Sequence, residues 1–266
     1  PIGFGLSGGV DSSALVCVAD HFHLLDSAPK TFTVTNNVEG FDESYWARTV
    51  VDALRCEWHK AECTHTNMLE TLSDMIYHAD APLLSPHNYS HFRLMNIAHE
   101  QGIKVMLSGV GADELFAGYN HCYTAFYNDL TKNKQYTSLL RELMQTQHSS
   151  YSLSMYLKSI IKTVFPSNNG ISRQMKKYTD PIPFPFSNTT TFNTSSLQLL
   201  QHDLYHGHYL KNLLRWEDRC SMRFSIESRT PFADDSQIMQ HAFSLLSTYK
   251  IHDGWSKYVL RQSMRG

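Results

Sequence analysis

The sequence predicts an α/β protein: a parallel sheet with helices on both faces, followed by a helical extension that packs back over it. Three observations predict this. Strand and helix signals alternate through the first third of the chain. The strands are short apolar runs, as expected in a sheet buried on both faces. From about Tyr119 the strand signals give way to helical ones. The chain is thereby divided into a core over residues 1–120 and an extension over residues 121–266.

The elements follow in order. Ile2 to Leu6 is a short apolar run, and a helix-like stretch runs from Ser12 to about Leu25. Thr31 to Thr35 is a β-branched and aromatic strand. A helix opened by Asp42 runs to Leu54, and Glu57 to Glu62 is a weaker strand. Asn67 opens a helix to Tyr77 with Met68, Leu69, Leu72, Met75 and Ile76 on one side. Pro82 and Pro86 mark a loop, and Ser90 to Gln101 is a helix stopped by Gly102. Ile103 to Leu107 is a strand ending at Ser108-Gly109. Residues 136–165 and 197–265 read as helices, with a Pro-broken polar loop at Pro181 to Ser196 between them. Pro1-Ile2-Gly3-Phe4 reads as the middle of a strand and Val259 to Gly266 as a helix just ended, so both ends are expected to lie within a longer polypeptide.

Composition narrows the function classes. With 266 residues the chain can bury a core without disulfides or metal. A 42% apolar and 18% charged composition is that of an ordinary globular protein. A formal charge of −2 offers no basic footprint for nucleic acid. The absence of an apolar run of 18 residues argues against a membrane span. Five cysteines, with no C-x-x-C pair, point to reduced thiols and a cytoplasmic setting. Two glycosylation-type triplets begin at Asn188 and Asn193 and are read as chance matches in a Thr/Asn-rich loop.

The first chemical motif is Ser7-Gly8-Gly9-Val10-Asp11-Ser12-Ser13. A strand, a pair of glycines and a helix start bring free N–H groups and a partial positive charge to one spot, which suits phosphate. Asp11 is an anion and cannot serve phosphate directly, but it makes sense beside Mg²⁺. The string lacks the spacing of a Walker A loop. It resembles the pyrophosphate loop of the N-type ATP pyrophosphatases, which implies a Rossmann-like adenine-nucleotide core, ATP cleaved between its α and β phosphates, and an adenylated acid.

The second motif, Leu107-Ser108-Gly109-Val110-Gly111-Ala112-Asp113-Glu114-Leu115-Phe116-Ala117-Gly118-Tyr119, is another strand–glycine–helix turn with an acid past the glycines. Ligands of parallel sheets bind at the carboxyl ends of strands, so the two turns are expected to bring Asp11 and Asp113 to one edge. The string resembles the signature of the asparagine synthetase and β-lactam synthetase family. Many members carry an acidic or Tyr residue where this chain has Val110, which bears on the acid substrate and on the second half-reaction.

Two later strings extend the resemblance. Leu213 to Phe232 is similar to a long family segment in which Arg219 and Arg229 can pair with Asp218 and Glu227, either as braces of the site or as structural ion pairs. Lys250-Ile251-His252-Asp253-Gly254-Trp255-Ser256-Lys257-Tyr258-Val259-Leu260-Arg261 resembles the family's last motif. Lys257 is either a cation for leaving pyrophosphate or a solvated helix lysine. Looser matches are Phe32-Thr33-Val34 before Phe41-Asp42-Glu43, and Asp80-Ala81-Pro82, where Ala81 replaces an acid.

The resemblance implies an amide-forming synthetase using ATP and Mg²⁺. It assigns ATP to Leu6, Ser7, Gly8, Gly9, Asp11, Ser12, Val34, Ser108 and Gly109, the metal to Asp11 and Asp113, and catalysis to Lys257, Glu114 and Arg229. Aspartate is the default acid, ammonia from an upstream glutaminase domain the nitrogen source, and a homodimer the candidate assembly. A lactam-forming relative and a non-catalytic nucleotide-binding domain are the alternatives. His202, His206 and His208 form the tightest histidine cluster but lack a completing acid or Cys for zinc. Tyr119, Tyr123, Phe126 and Tyr127 are read as helix packing.

Overall fold

The computed structural model describes residues 1–35, 44–81, 86–145 and 195–265. Five parallel strands form one sheet. In chain order these are β1 (Ile2–Gly5), β2 (Lys30–Thr35), β3 (Glu57–Glu62), β4 (Val105–Leu107) and β5 (Glu227–Arg229), arranged β3-β2-β1-β4-β5. The chain reverses its direction of travel across the sheet at β1 and β4, so the loops leaving these two central strands meet at the carboxyl edge. That is where ligands of open parallel sheets bind.

Helices fill the connections: α1 (Val10–His21), α2 (Ser44–Leu54), α3 (His65–Ala79), α4 (Pro86–Glu100) and α5 (Ala112–Phe116). Beyond them lie α6 (Asn120–Lys132), α7 (Tyr136–Met144), α8 (Leu197–His206) and α9 (His208–Arg223). After β5 come α10 (Pro231–Asp234), α11 (Ser236–Ser244) and α12 (Ser247–Lys250), a two-stranded hairpin of β6 (Ile251–His252) and β7 (Trp255–Ser256), and α13 (Tyr258–Ser263).

Local chemistry explains several boundaries. The Thr64 hydroxyl accepts the Asn67 N–H at the start of α3, and Asp80 closes that helix in the left-handed region. Gly102, at φ 71°, lets the chain turn from α4 towards β4. Asp235 caps α11 through the N–H groups of Gln237 and Ile238. Gly3 in β1 is set by packing, since a Cβ there would lie 2.8 Å from the Phe32 ring.

The sheet is buried on both faces, as the apolar strands predict. On one face Phe4, Leu6, Val16, Ala47 and Val51 join β1 to α1 and α2. On the other Phe32, Met75, Met95, Met106, Phe224 and Ile226 join the sheet to α3, α4 and α9. The extension has its own core of Phe126, Tyr127, Leu130, Leu200 and Leu204, and Tyr123, Phe126 and Tyr127 are helix packing as expected. A fourth cluster, including Ala14, Leu115, Phe116, Phe232 and Leu260, joins α13 to α1 and α5.

Three sequence expectations need correction. Residues 197–265 are not helical throughout: β5 completes the sheet, and the β6–β7 hairpin precedes α13. Pro86 does not lie in a loop but opens α4, a position where its missing N–H costs nothing. Leu69 and Ile76 do not share the buried side of α3 with Met75, being 73% and 42% exposed against its 2%. The expected helix over 145–165, the glycosylation-type triplets, most of the Pro-broken loop, and Asp42 and Pro82 lie outside the described residues.

Candidate active site

The first turn is organised by its own hydroxyls. Ser12 Oγ receives the Ser7 N–H at 3.2 Å and donates to the Gly9 carbonyl at 3.2 Å, while Gly9 N–H donates to Ser7 Oγ at 3.2 Å. Gly8 lies at φ 85°, and a Cβ on it would come within 2.6 Å of the Ala47 backbone nitrogen. A side chain there would therefore push the turn off α2.

The second turn is tied to the sheet edge, where Ser108 N–H donates to the Arg229 carbonyl at 2.9 Å. Gly109 brings the two turns into contact: a Cβ there would sit 3.1 Å from Asp11 Cβ and 3.2 Å from the Ser12 nitrogen. Gly111, at φ 99°, approaches the backbone of Ala233 so closely that a Cβ would lie 2.7 Å from its nitrogen.

Asp11 at the start of α1 and Asp113 at the start of α5 converge on one ammonium. Lys257 Nζ is bonded to Asp11 Oδ2, and it lies 2.7 Å from Asp113 Oδ1. Lys257 is delivered by the turn after β7, in the left-handed region at φ 54°, with its N–H on the Phe116 carbonyl at 3.1 Å. Gly118 leaves room for the group: a Cβ there would stand 1.6 Å from Asp113 Oδ1 and 2.4 Å from Lys257 Cε. Lys257 is thus no solvated helix lysine, since 13% of its side chain is exposed.

The electrostatics follow from burial. Burial works against the Lys257 ammonium, but the pull of Asp11 and Asp113 outweighs it and holds its pKa above the ordinary lysine value. The Asp11 carboxyl is pushed above the usual carboxylate range, first by burial and also by Asp113, with Lys257 opposing. Two carboxylates face one ammonium, and Asp11 Oδ1 is buried without a hydrogen-bond partner. This donor set fits a further cation that prefers oxygen ligands.

The remaining candidates divide. Leu6 is buried in the core, its N–H donating to the Phe32 carbonyl at 2.8 Å and its carbonyl accepting from Thr33 Oγ1 at 2.7 Å, so it forms part of a wall and offers no free backbone group. Val34 lies one strand away at the carboxyl end of β2, partly exposed. Arg229 ends β5 with its carbonyl on the second turn, while its guanidinium pairs with Glu227 at 2.5 Å on the exposed edge. Arg219 and Asp218 form no ion pair with each other.

Glu114 is buried under the turn, 1% exposed, and accepts the Tyr119 hydroxyl at 2.7 Å. Burial raises its carboxyl pKa, with the Tyr119 bond opposing. Beneath it the sequence concealed a polar bracket. Gln201 Nε2 donates to the carbonyls of Glu114 and Leu115 at 3.0 and 2.7 Å, and its oxygen accepts Lys250 Nζ at 2.7 Å. Gly118 was detectable as a small residue beside Tyr119, but Gln201 carried no signal.

The histidine cluster does not assemble a metal site. His202 and His206 lie with their ring centroids 4.7 Å apart and their planes tilted by 47°. Among the described residues, the ligand-type side chains that do cluster are Glu142, His252 and Asp253. There Glu142 is already committed to the N–H groups of Asp253 and Gly254, both at 3.0 Å, and pins the hairpin turn.

The fold and site together define a parallel α/β protein in which two strand–glycine–helix turns present paired carboxylates and a lysine at the sheet edge. The profile of the family described as Asparagine synthase matches residues 1–266, and the chain belongs to that family. It is similar to "Asparagine synthetase [glutamine-hydrolyzing] 1" of Bacillus subtilis, 28% identical over 290 residues, covering 100% of this chain and 44% of that protein. It is also similar to "Amidase chyE" of Penicillium rubens, 28% identical over 319 residues, covering 100% of this chain and 47% of that protein. The chain therefore spans less than half the length of these relatives.

Proposed function

We propose that the chain is the synthetase part of an ATP-dependent amide-forming enzyme that adenylates a carboxylic acid, with aspartate as the default substrate. The observation that carries this is the convergence of Asp11, Asp113 and Lys257 where two glycine turns meet. ATP takes its place with adenine between Leu6, Val34 and Ser108-Gly109 and its phosphates on Ser7, Gly8, Gly9 and Ser12. Asp11 and Asp113 would hold Mg²⁺, which would neutralise phosphate charge there.

A carboxylate oxygen of the acid attacks the α-phosphorus. The bond from that phosphorus to the bridging oxygen breaks, and pyrophosphate leaves with the electron pair. Lys257 offsets the charge growing on the departing group. Ammonia then attacks the acyl carbon, AMP departs, and one proton is released. Glu114 and Arg229 act from outside this centre, Glu114 by fixing the second turn and Arg229 by presenting its carbonyl to Ser108.

Ammonia from a glutaminase domain upstream is the nitrogen source, a reading supported by relatives whose names include glutamine hydrolysis. Five free cysteines support a cytoplasmic setting. No described helix is long and apolar enough to cross a membrane. A homodimer is the assembly to test by light scattering.

The test is acid-dependent exchange of labelled pyrophosphate into ATP by the full-length protein, with a panel of acids. No exchange with any acid sinks the proposal. A second reading, amide formation with an amine other than ammonia, is favoured by Val110 and by relatives named amidases. Product masses with and without ammonia separate the two.

A further inference from the structure

A cavity of about 230 Å³ is lined by Trp255, Tyr258, Arg261, Gln262 and Arg265, residues that flank Lys257 in the chain. Its construction is specific. The Arg261 guanidinium lies over the Trp255 ring, 4.8 Å from its centroid, and its Nε donates to the Ser256 carbonyl at 3.0 Å. Stacking and that single bond fix the plane of the fork. The two terminal nitrogens have no hydrogen-bond partner among the described residues. A planar fork held this way is pre-organised for a second pair of oxygens. Arg265 adds a second guanidinium on the cavity wall and has no ion-pair partner among the described residues. The lining carries no carboxylate.

The position ties the cavity to the reaction. Arg261 stands one helical turn after Lys257, with its N–H on the Lys257 carbonyl at 2.9 Å. The helix that carries it packs on α1, the helix that carries Asp11. The positive charge of Arg261 also reaches Asp11, where it favours the ionised carboxylate. Arg261 therefore links the cavity to the helix start that bears Lys257 and to the charge of Asp11.

We propose that this cavity is a phosphate subsite in which Arg261, assisted by Arg265, grips the outer phosphoryl group of ATP and of the departing pyrophosphate. The proposal rests on the synthetase reading, because it places the polyphosphate tail past Lys257. It assigns the two cations different work. Lys257 neutralises the carboxylate pair and the bond being broken, whereas Arg261 recognises the far end of the leaving group. A carboxylate group of the acid substrate has similar oxygen chemistry, so it must be distinguished by experiment.

The test uses the full-length protein without any acid substrate. Pyrophosphate is titrated while tryptophan emission is followed, with Trp255→Phe showing which part of the signal comes from the stacked ring. The expected result is a saturable change that disappears in Trp255→Phe. Pyrophosphate affinity should be at least about tenfold weaker in Arg261→Gln, weaker by a smaller factor in Arg265→Gln, and partly restored in Arg261→Lys. AMP, which lacks the outer phosphates, should bind all variants equally.

Unchanged pyrophosphate affinity in Arg261→Gln, or an equal loss of AMP binding, overturns the proposal. So does a short dicarboxylate that binds more tightly than pyrophosphate and loses its affinity in Arg261→Gln. If acid-dependent exchange fails while pyrophosphate binding through Arg261 holds, the synthetase reading falls and the subsite stands.

Discussion

Lys257 concentrates the chemistry of the site in one side chain. It balances two carboxylates that would otherwise repel each other across a part-buried gap. Lys257→Met should slow pyrophosphate exchange by about 10²–10³-fold, the scale of losing one charge-stabilising donor. The same variant changes the pH dependence of stability. With the ammonium gone, the Asp11 pKa rises further above its unfolded value, because burial and Asp113 are then opposed only by the weaker charge of Arg261. A carboxyl raised in the folded state destabilises the fold when ionised, so the variant should recover stability as pH falls towards 4. The native protein should show less of this recovery, and urea melts at pH 4.5 and 7.5 measure the difference.

Gly118 is the complementary case, a residue that matters by what it lacks. With a Cβ placed 1.6 Å from Asp113 Oδ1, Gly118→Ala must displace the carboxylate or the lysine. Exchange activity should fall at least about 100-fold. The fold should persist, because the displaced groups are partly exposed, and near-UV dichroism checks that.

At the scale of elements, the bracket beneath α5 carries a titratable group. Burial lowers the Lys250 pKa to about 8, and the residue is 3% exposed. Its folded pKa lies below the unfolded value, so between about pH 8 and 10.5 the unfolded chain holds the extra proton. Stability from this group therefore rises with pH across that window, by up to about 3 kcal/mol. Lys250→Met should lack this rise, although it leaves the Gln201 oxygen unpaired. Denaturant melts of both proteins at pH 7.5 and 9.5 test the sign.

How much was legible also differs by element. The strand β3 was expected over Glu57–Glu62 and is found there, and β2 differs by one residue, because period and β-branching act locally. Both glycine turns were legible, since positive φ and close backbone approach demand glycine whatever the rest of the chain does. The strand Glu227–Arg229 was not legible. It is three polar residues at a sheet edge, and it exists because Lys104 and Arg229 carbonyls and the Glu227 and Ser108 N–H groups pair across the gap to β4. The Gln201–Lys250 bond spans 49 positions and leaves no periodic trace. Lys257 was legible as a candidate, but its place between two acids depends on a hairpin too short to announce itself.

For the whole molecule, the sheet and the extension are interdependent. The face of the sheet covered by α9 draws Trp216, Cys220, Phe224 and Ile226 from beyond residue 200. A fragment ending at residue 145 would expose that face and the unpaired edge of β4. It should be soluble only as aggregates, as size-exclusion chromatography and thioflavin or dye binding would report. The Asparagine synthase family profile spans both portions, over residues 1–266.

The hairpin that delivers Lys257 has a temporal consequence. Residues 11 and 113 emerge from a ribosome well before residue 257 exists, and the β6–β7 turn that precedes the lysine is pinned by Glu142. Until then Asp11 and Asp113 stand without the ammonium that pairs with both of them in the fold. The carboxylate pair thus gains its balancing charge only from a segment made long after both acids.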